Sequence, residues 1–372
     1  MTAKKEAFPL HCKVFLSSEG FGHRMRISEI LIELRKIIAD LKVTIQSGMY
    51  PYQLEESLGT FDFIKIESPE QWAKSKDGSP DIDRIRNYYS KYSDLSNNFI
   101  KQTLKDRHSY DFMLSDYVVD AFQVGNILGV PVFGVAHFTW EWFFSKMYPR
   151  PISEEALINW RRREDLADQL YFPLFTPAEI LLNRENSTST GLIVKQQSLP
   201  TKKIAFSDRR SVLLVDSGSN LLSAQLIEAL NSVEYISNLS IYCREKLILD
   251  YKKYLIALPN DDLLIKHIPN MDFVIARAGF NTICECLLYK KPMLLFSEFF
   301  NPEMKENIDF MRNLGLAAYI SIENLRDDLK ACIEKFCLKD LNRLKENYNN
   351  LDLHFNGAAT IARDIAIRLS RL

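Results

Sequence analysis

A chain of 372 residues, 47% hydrophobic and 26% charged, has the composition of a globular protein and the length for two domains. Its formal net charge of −1 gives no overall pull toward nucleic acid or acidic lipid, and no nucleic-acid-binding motif is present. No apolar run is long enough for a transmembrane helix, and the six scattered cysteines show neither metal spacing nor a disulfide framework, which implies a reducing, cytoplasmic setting.

The opening MTAKKEAFPLHCKVFLSS has a charged start and a short apolar run, so it reads as the lead-in to a strand, not as a signal peptide. CKVFLSS is the first strand. Ile27, Ile30, Leu31, Leu34, Ile37 and Ile38 then recur at helical spacing over 26–39. KVTIQSG and DFIKIES are further strands, and a long polar helix is expected over 82–104. YDFMLSD is a buried strand, AFQVGNILG a helix and PVFGVAHF a strand. Strands separated by helices imply parallel βαβ units. Over 139–182 the pattern changes to aromatic and basic stretches, FTWEWFFSKMYPRP and NWRRRED, which read as helical excursions. NRENSTST and QQSLPTKK are turn-rich and place an inter-domain passage within 183–208.

Alternation resumes with SVLLVDSGSN and a helix over 221–230. NLSIYCR, DLLIKHI, MDFVIAR and PMLLFSE are strand candidates, and GAATIARDIAIRLSRL is an amphipathic helix. The expected fold class is α/β: two doubly wound Rossmann-like domains, residues 1–195 and 196–355, with a C-terminal helix over 356–372 packing back toward the first. Ligands of such sheets lie off the carboxyl ends of the strands, here in the cleft between domains.

Four stretches can carry chemistry. In FLSSEGFGHRMRISEIL, Gly20, Gly22 and His23 follow a strand and open a helix. The pattern is neither GxGxxG nor a P-loop. His23 either acts as a general base on a hydroxyl or helps cap the helix. Asp116 ends the strand YDFMLSD, where it either orients the His23 imidazole or caps a helix. Ser217, Gly218 and Ser219 end the strand of LLVDSGSN and leave backbone N–H groups for a phosphate. In VIARAGFNTICE, Gly279 suits a tight turn or a close backbone approach, and Asn281 and Thr282 are good N-caps. Such a corner suits an anion. Glu285 either completes a capping box with Thr282 or binds a ribose diol. Asn301, Glu303 and Asn307, in FSEFFNPEMKEN, face a sugar or solvent. Cys284 and Cys286 read as small buried hydrophobes.

RAGFNTICE, KKPMLLF and NPEMKEN together resemble the donor-site signature of GT-B glycosyltransferases, the MurG-type and UDP-glycosyltransferase enzymes. Arg277, Gly279, Asn281, Thr282 and Glu285 fall on that pattern. EGFGHRMR resembles the matching N-terminal loop, with His23 at the position of the base, and Asp116 is similar in placement to the aspartate that supports it. GFGHRMR, LSDYVVDA, HFTWEWFF and FFNPEMKEN resemble the glycosyltransferase-like N-terminal half of L-arabinokinases, whose kinase half has no counterpart here. Where the family pattern has an acid followed by glutamine, this chain has Glu303 followed by Met304, which cannot donate the same hydrogen bonds.

The resemblance implies metal-independent, inverting transfer of a hexose from a nucleotide-diphosphate sugar, UDP-linked by analogy, to an acceptor hydroxyl. No cofactor is expected besides that donor. Ser217, Gly218, Ser219 and the Gly279 corner would meet the diphosphate, Glu285 the ribose, the Ile268 backbone the base, and Glu303 and Asn307 the sugar, with Gly22 also counted among the residues that bind the nucleotide sugar. A nucleotide-sugar hydrolase or epimerase on the same fold, or a non-catalytic binding protein, remains open at this point. Residues 138–163 are read two ways. Trp140, Trp142, Phe143, Phe144 and Arg161, Arg162, Arg163 form either a lid or lipid-facing patch, giving peripheral membrane contact, or an inter-domain aromatic core with a solvated basic face.

Overall fold

The alternating apolar runs and amphipathic helices form two parallel sheets in a computed structural model, which describes residues 9–17, 22–70, 72–75, 80–182, 184–195, 209–215, 220–234, 238–261, 263–297 and 301–371. The chain divides into two compact units. The first comprises Met1–Ala73, Asp81–Ile193 and His354–Leu372, and the second Lys74–Pro80 and Val194–Leu353.

In the first unit the strands are β1 (His11–Leu16), β2 (Lys42–Ser47), β3 (Asp62–Lys65), β4 (Phe112–Asp116), β5 (Val132–Val135), β6 (Gln169–Pro173) and β7 (Ser187–Thr190). They lie in the order β3-β2-β1-β4-β5-β6-β7, every pairing parallel. The order reverses between β1 and β4, which makes that point the topological switch of the sheet. The period-2 alternation of β1 builds a core on each face. Cys12, Val14 and Leu16 pack with Ile27, Ile30, Leu31 and Leu34 of the helix Gly22–Ile37, and Phe15 packs with an aromatic cluster on the other side. Each of those helix side chains, fully buried, contributes roughly 1.5–3 kcal/mol and pins the helix to the sheet.

The helix Gly357–Leu369 adds Ile361, Ala362 and Ile365 to the same core. Polar contacts fix its register: the Tyr171 hydroxyl donates to Asp364 at 2.6 Å, and Arg368 donates to Gln169 at 2.6 Å. Its first residue must be small, because a Cβ on Gly357 would lie 2.1 Å from the Gly191 carbonyl oxygen.

In the second unit β8 (Arg210–Val215), β9 (Leu239–Arg244), β10 (Leu255–Leu258), β11 (Phe273–Arg277), β12 (Met293–Phe296) and β13 (Ala317–Tyr319) lie in the order β10-β9-β8-β11-β12-β13, also parallel. The switch point here is between β8 and β11. Both units are thus doubly wound α/β layers.

Several elements differ from the sequence reading. The segment DLLIKHI is not a strand: Leu264–Asn270 forms a tight helical turn, and the strand is the preceding Leu255–Leu258. The long polar helix is two, Ile82–Tyr89 and Tyr92–Thr103, broken at Ser90–Lys91. β6 lies within the stretch read as helical, and β7 within the stretch read as an inter-domain passage. The aromatics of 138–163 do not form a lipid-facing patch. Trp140, Trp142, Phe143 and Phe144 are at most 5% exposed and pack inside the first unit, with Phe144 against Tyr89 and Trp160. Arg163 does not join a solvated face either, because it turns inward to Asp120 and Ser96.

Candidate functional site

Each switch point gathers one group of the residues singled out from the sequence. In the first unit, β1 leads to the helix that begins with Gly22 and His23. β4 runs beside β1 with Leu16 opposite Asp116, so the carboxylate emerges next to the start of that helix. His23 Nδ1 lies 2.7 Å from Asp116 Oδ1. The following helix begins at Asp120 with Val119 as its cap, so Asp116 is not a cap and its carboxylate is left for side-chain partners. Immediately after it the chain turns sharply, with Tyr117 at φ 49°, a left-handed conformation that costs energy for an aromatic residue. Ser115 Oγ braces this turn by accepting from the Val118 N–H at 2.9 Å and donating to its carbonyl at 3.0 Å.

Asp116 is completely buried. Burial works against its charge, yet the Arg26 guanidinium and His23 together hold its carboxyl below the usual carboxylate range. Arg26 lies one helical turn beyond His23 and grips both oxygens, Nε donating to Oδ2 at 2.9 Å and Nη2 to Oδ1 at 2.6 Å. Its Nη1 lies 2.9 Å from Nδ1 of His137, just past β5. A histidine whose Nδ1–H is given to a carboxylate keeps an Nε2 lone pair able to take a proton.

In the second unit, β11 ends at Arg277, and the helix Phe280–Leu288 follows after two residues. Gly279 is its cap, at φ −75°, ψ 136°, without a side-chain capping bond. Asn281 and Thr282 therefore lie inside the first turn and are not caps, and Thr282 and Glu285 form no capping box. The backbone of Gly279 is one any residue adopts, so no left-handed turn explains the glycine. Among the described residues, a Cβ there would meet nothing nearer than Arg277 Nη2, at 3.9 Å, an ordinary van der Waals contact.

Asn281, Thr282 and Glu285 share one face of this helix. The first two are half-buried and Glu285 is buried. Burial alone pushes the Glu285 carboxyl up, to about 8. Among the described residues nothing hydrogen-bonds it.

Asn307 is buried and donates to the Ala278 carbonyl at 3.0 Å, bracing the turn before the helix. Asn301 caps the helix Pro302–Asn313 by accepting from the Met304 N–H at 3.1 Å. Glu303 is half-buried on the first turn of that helix, whereas Met304 points into the core. Ile268 is buried, and its carbonyl accepts from the Met271 N–H at 3.1 Å. Ser217, Gly218 and Ser219 lie outside the described residues. Among the described residues no group of three or more His, Cys, Asp or Glu side chains could hold a metal ion, and no helix is long and apolar enough to cross a membrane.

The sequence reading missed Arg26 and His137. The available signal for Arg26 was its place four residues before Ile30 and eight before Leu34, a charge set in an apolar stripe. It also missed the buried cluster of Glu70, Tyr92, Ser96, Asp120 and Arg163. There Glu70 is pushed up to about 8 by burial and by Asp120, while accepting from the Val119 N–H and the Tyr92 hydroxyl, each at 3.1 Å.

Residues 240–366 match the glycosyltransferase family 28 C-terminal domain. No curated protein matches the sequence. Among solved structures, the glycotransferase of kitacinnamycin is similar over 97% of this chain and 99% of its own, at 14% identity and a TM-score of 0.69. UGT2 of Phytolacca americana, complexed with UDP-2fluoro-glucose and pterostilbene, is similar over 97% and 100%, at 12% identity and a TM-score of 0.66. MurG of Acinetobacter baumannii is similar over 96% and 99%, at 15% identity and a TM-score of 0.59. These likenesses, nearly end to end, show that the chain has the GT-B fold.

Proposed function

We propose that this GT-B chain transfers a sugar from a nucleotide diphosphate, UDP-linked, to an acceptor hydroxyl with inversion and without a metal. The observation that carries the reading is the His23–Asp116 pair at 2.7 Å, a half-buried imidazole on a fully buried carboxylate. It stands at the first unit's switch point, where a ligand of an open α/β sheet belongs. The match of residues 240–366 to a glycosyltransferase C-terminal domain supports it. So does the uridine-diphosphate sugar bound by a protein of the same fold.

In this reading the second unit holds the donor. The amides after Gly279 and the Arg277 side chain meet the diphosphate, the 217–219 loop helps, and Glu285 accepts from the ribose diol. His23 Nε2 takes the acceptor's proton as the acceptor oxygen bonds to the anomeric carbon. The bond from that carbon to the diphosphate oxygen breaks, and its electron pair leaves with the diphosphate. Asp116 stabilises the imidazolium that forms. The helix dipole and N–H groups stabilise charge developing on the leaving group, as preorganised donors do.

The test begins with a thermal-shift screen against nucleotide sugars. A ligand at about 100 times its dissociation constant adds about 2.7 kcal/mol of stability. Turnover of the stabilising donor is then compared in wild type and His23→Ala. A fall of about 100-fold or more is expected of a lost general base, and unchanged turnover overturns the assignment. Donor consumption that releases free sugar with no acceptor added would identify a hydrolase instead.

A further inference from the structure

The turn that follows Asp116 is held from behind by a second cluster, and that cluster contains two buried carboxyl groups. Glu70 Oε1 accepts from the Val119 N–H and from the Tyr92 hydroxyl, each at 3.1 Å. Asp120, the residue after Val119, accepts at Oδ1 from the Ser96 hydroxyl at 2.9 Å and from the Arg163 guanidinium. Arg163 also donates to Ser96 at 2.7 Å and lies over the Tyr92 ring, 5.6 Å from its centroid. The titratable groups that face Glu70 and its partners from the packed helices are Tyr92, with Tyr89 beside it, Asp120 and Arg163. Among the described residues, Arg163 is the only cation bonded to the cluster.

One guanidinium cannot neutralise two buried carboxylates, and an uncompensated charge at that depth is strongly disfavoured. The second oxygen of each, Glu70 Oε2 and Asp120 Oδ2, is buried without a hydrogen-bond partner among the described residues. Asp120 has the guanidinium, so it keeps the negative charge. Glu70 has only neutral donors, both on Oε1. The proton therefore belongs on Glu70 Oε2, where it turns a bare acceptor into a donor. Burial and the charge of Asp120 push the Glu70 carboxyl up, to about 8.

We propose that Glu70 is a positioning residue held as the neutral acid, and that loss of its proton to solvent is a pH-dependent release of the turn that carries Asp116. Asp116, Tyr117, Val118 and Val119 are consecutive, and the last of them gives its N–H to Glu70. With the proton in place the cluster is neutral and that N–H is held. Without it, a second negative charge stands against Asp120, and the repulsion falls on the two residues that close the turn. Glu70 acts through the backbone and not on a substrate. Its bearing on transfer rests on the reading of Asp116 as the partner of the base, whereas its protonation does not.

The test is carbon and nitrogen NMR of the full-length protein, labelled uniformly with 13C and 15N, without donor or acceptor. Glu70→Gln identifies the Glu70 carboxyl signal. At about pH 6, where an exposed glutamate is ionised, that signal should lie at the position of a neutral acid. It should move to the carboxylate position around pH 8. The Val119 amide proton should shift with the same midpoint in wild type and not in Glu70→Gln. In Asp120→Asn, Glu70 becomes the counter-charge of Arg163 and should be ionised already at about pH 6. A Glu70 signal at the carboxylate position at that pH in wild type overturns the proposal. So does a Val119 amide that ignores the titration, or a Glu70 that stays neutral in Asp120→Asn. Should Glu70→Gln not fold, through-bond correlation to the Glu70 backbone identifies the signal, and the wild-type titration decides alone. None of these spectra needs turnover. Their failure is thus separate from that of the transferase reading, which the His23→Ala assay tests.

Discussion

The two switch points occupy equivalent places in their sheets and are built in opposite ways. At β1/β4 every charge has a partner: Asp116 accepts from His23 and twice from Arg26, and Arg26 reaches on to His137. At β11 a side chain on Gly279 would make no closer than ordinary contact with any described residue, and Glu285 is buried with no hydrogen-bond partner among the described residues. A group that must move a proton in one defined direction needs its surroundings fixed in advance. A group that must receive a polyanion and a diol needs room and unmet bonding capacity, both of which the ligand fills. The first arrangement invests in rigidity. On the proposed function, the second leaves part of its stabilisation to binding.

That contrast can be broken most severely at Asp116. Asp116→Ala leaves Arg26 buried without its counter-charge, and loss of one partner of a buried pair costs about 3–5 kcal/mol. Chemical denaturation of the variant should show that loss together with the loss of turnover. A stability within about 1 kcal/mol of wild type would mean the network is not the closed charge system described.

At the other switch point the effect should fall on binding and spare the fold. Gly279→Val adds a side chain whose Cβ would make only ordinary contact with the described residues, on a backbone that valine adopts freely. Its melting temperature should stay near that of wild type, while titration calorimetry with UDP or the stabilising donor should show affinity roughly 10- to 100-fold weaker, or about 1.4–2.8 kcal/mol. Equal affinity would remove the anion from this corner.

The smallest effect sharpens the comparison through pH. Glu285 has a folded-state value of about 8, above its unfolded value of about 4.3. The folded protein therefore prefers the protonated form. The stability tied to that preference is full below the unfolded value, falls as pH rises toward about 8, and is gone above it. Glu285→Gln should be more stable than wild type at pH 8, by roughly 1–2 kcal/mol, and equal to it near pH 4. It should also bind the nucleotide more weakly. Melting curves at the two pH values check the first point and calorimetry the second. A variant less stable at pH 8 would show that Glu285 is already satisfied in the free protein.

The sequence disclosed these places unequally, for physical reasons. His23, Asp116 and the Gly279 corner were legible because strand ends followed by glycine or a polar residue mark βα turns, and resemblance to known motifs sharpened them. Arg26 was hidden because periodicity counts apolar residues, and a charge inside the stripe looks like noise until its partner, ninety residues away, is placed beside it. The capping expectation for Thr282 failed by three residues. Local preference favoured a polar cap, whereas the cap is Gly279 and the helix begins at Phe280.

β7, Ser-Thr-Ser-Thr, has no apolar residue, and as an edge strand it needs none on its open side. The strand at Leu255–Leu258 was overlooked for the stronger apolar run after it, whose Pro269 suits a tight turn better than a ladder.

The helix Gly357–Leu369 belongs to the first unit yet is separated from it in sequence by almost all of the second. During synthesis, the apolar side of the helix bearing His23 must wait, uncovered by Ile361 and Ile365, while some 160 intervening residues leave the ribosome. The core beneath the helix that bears His23 is therefore completed late. A nascent chain stalled in the second unit would expose a sticky, incomplete half to chaperones and proteases.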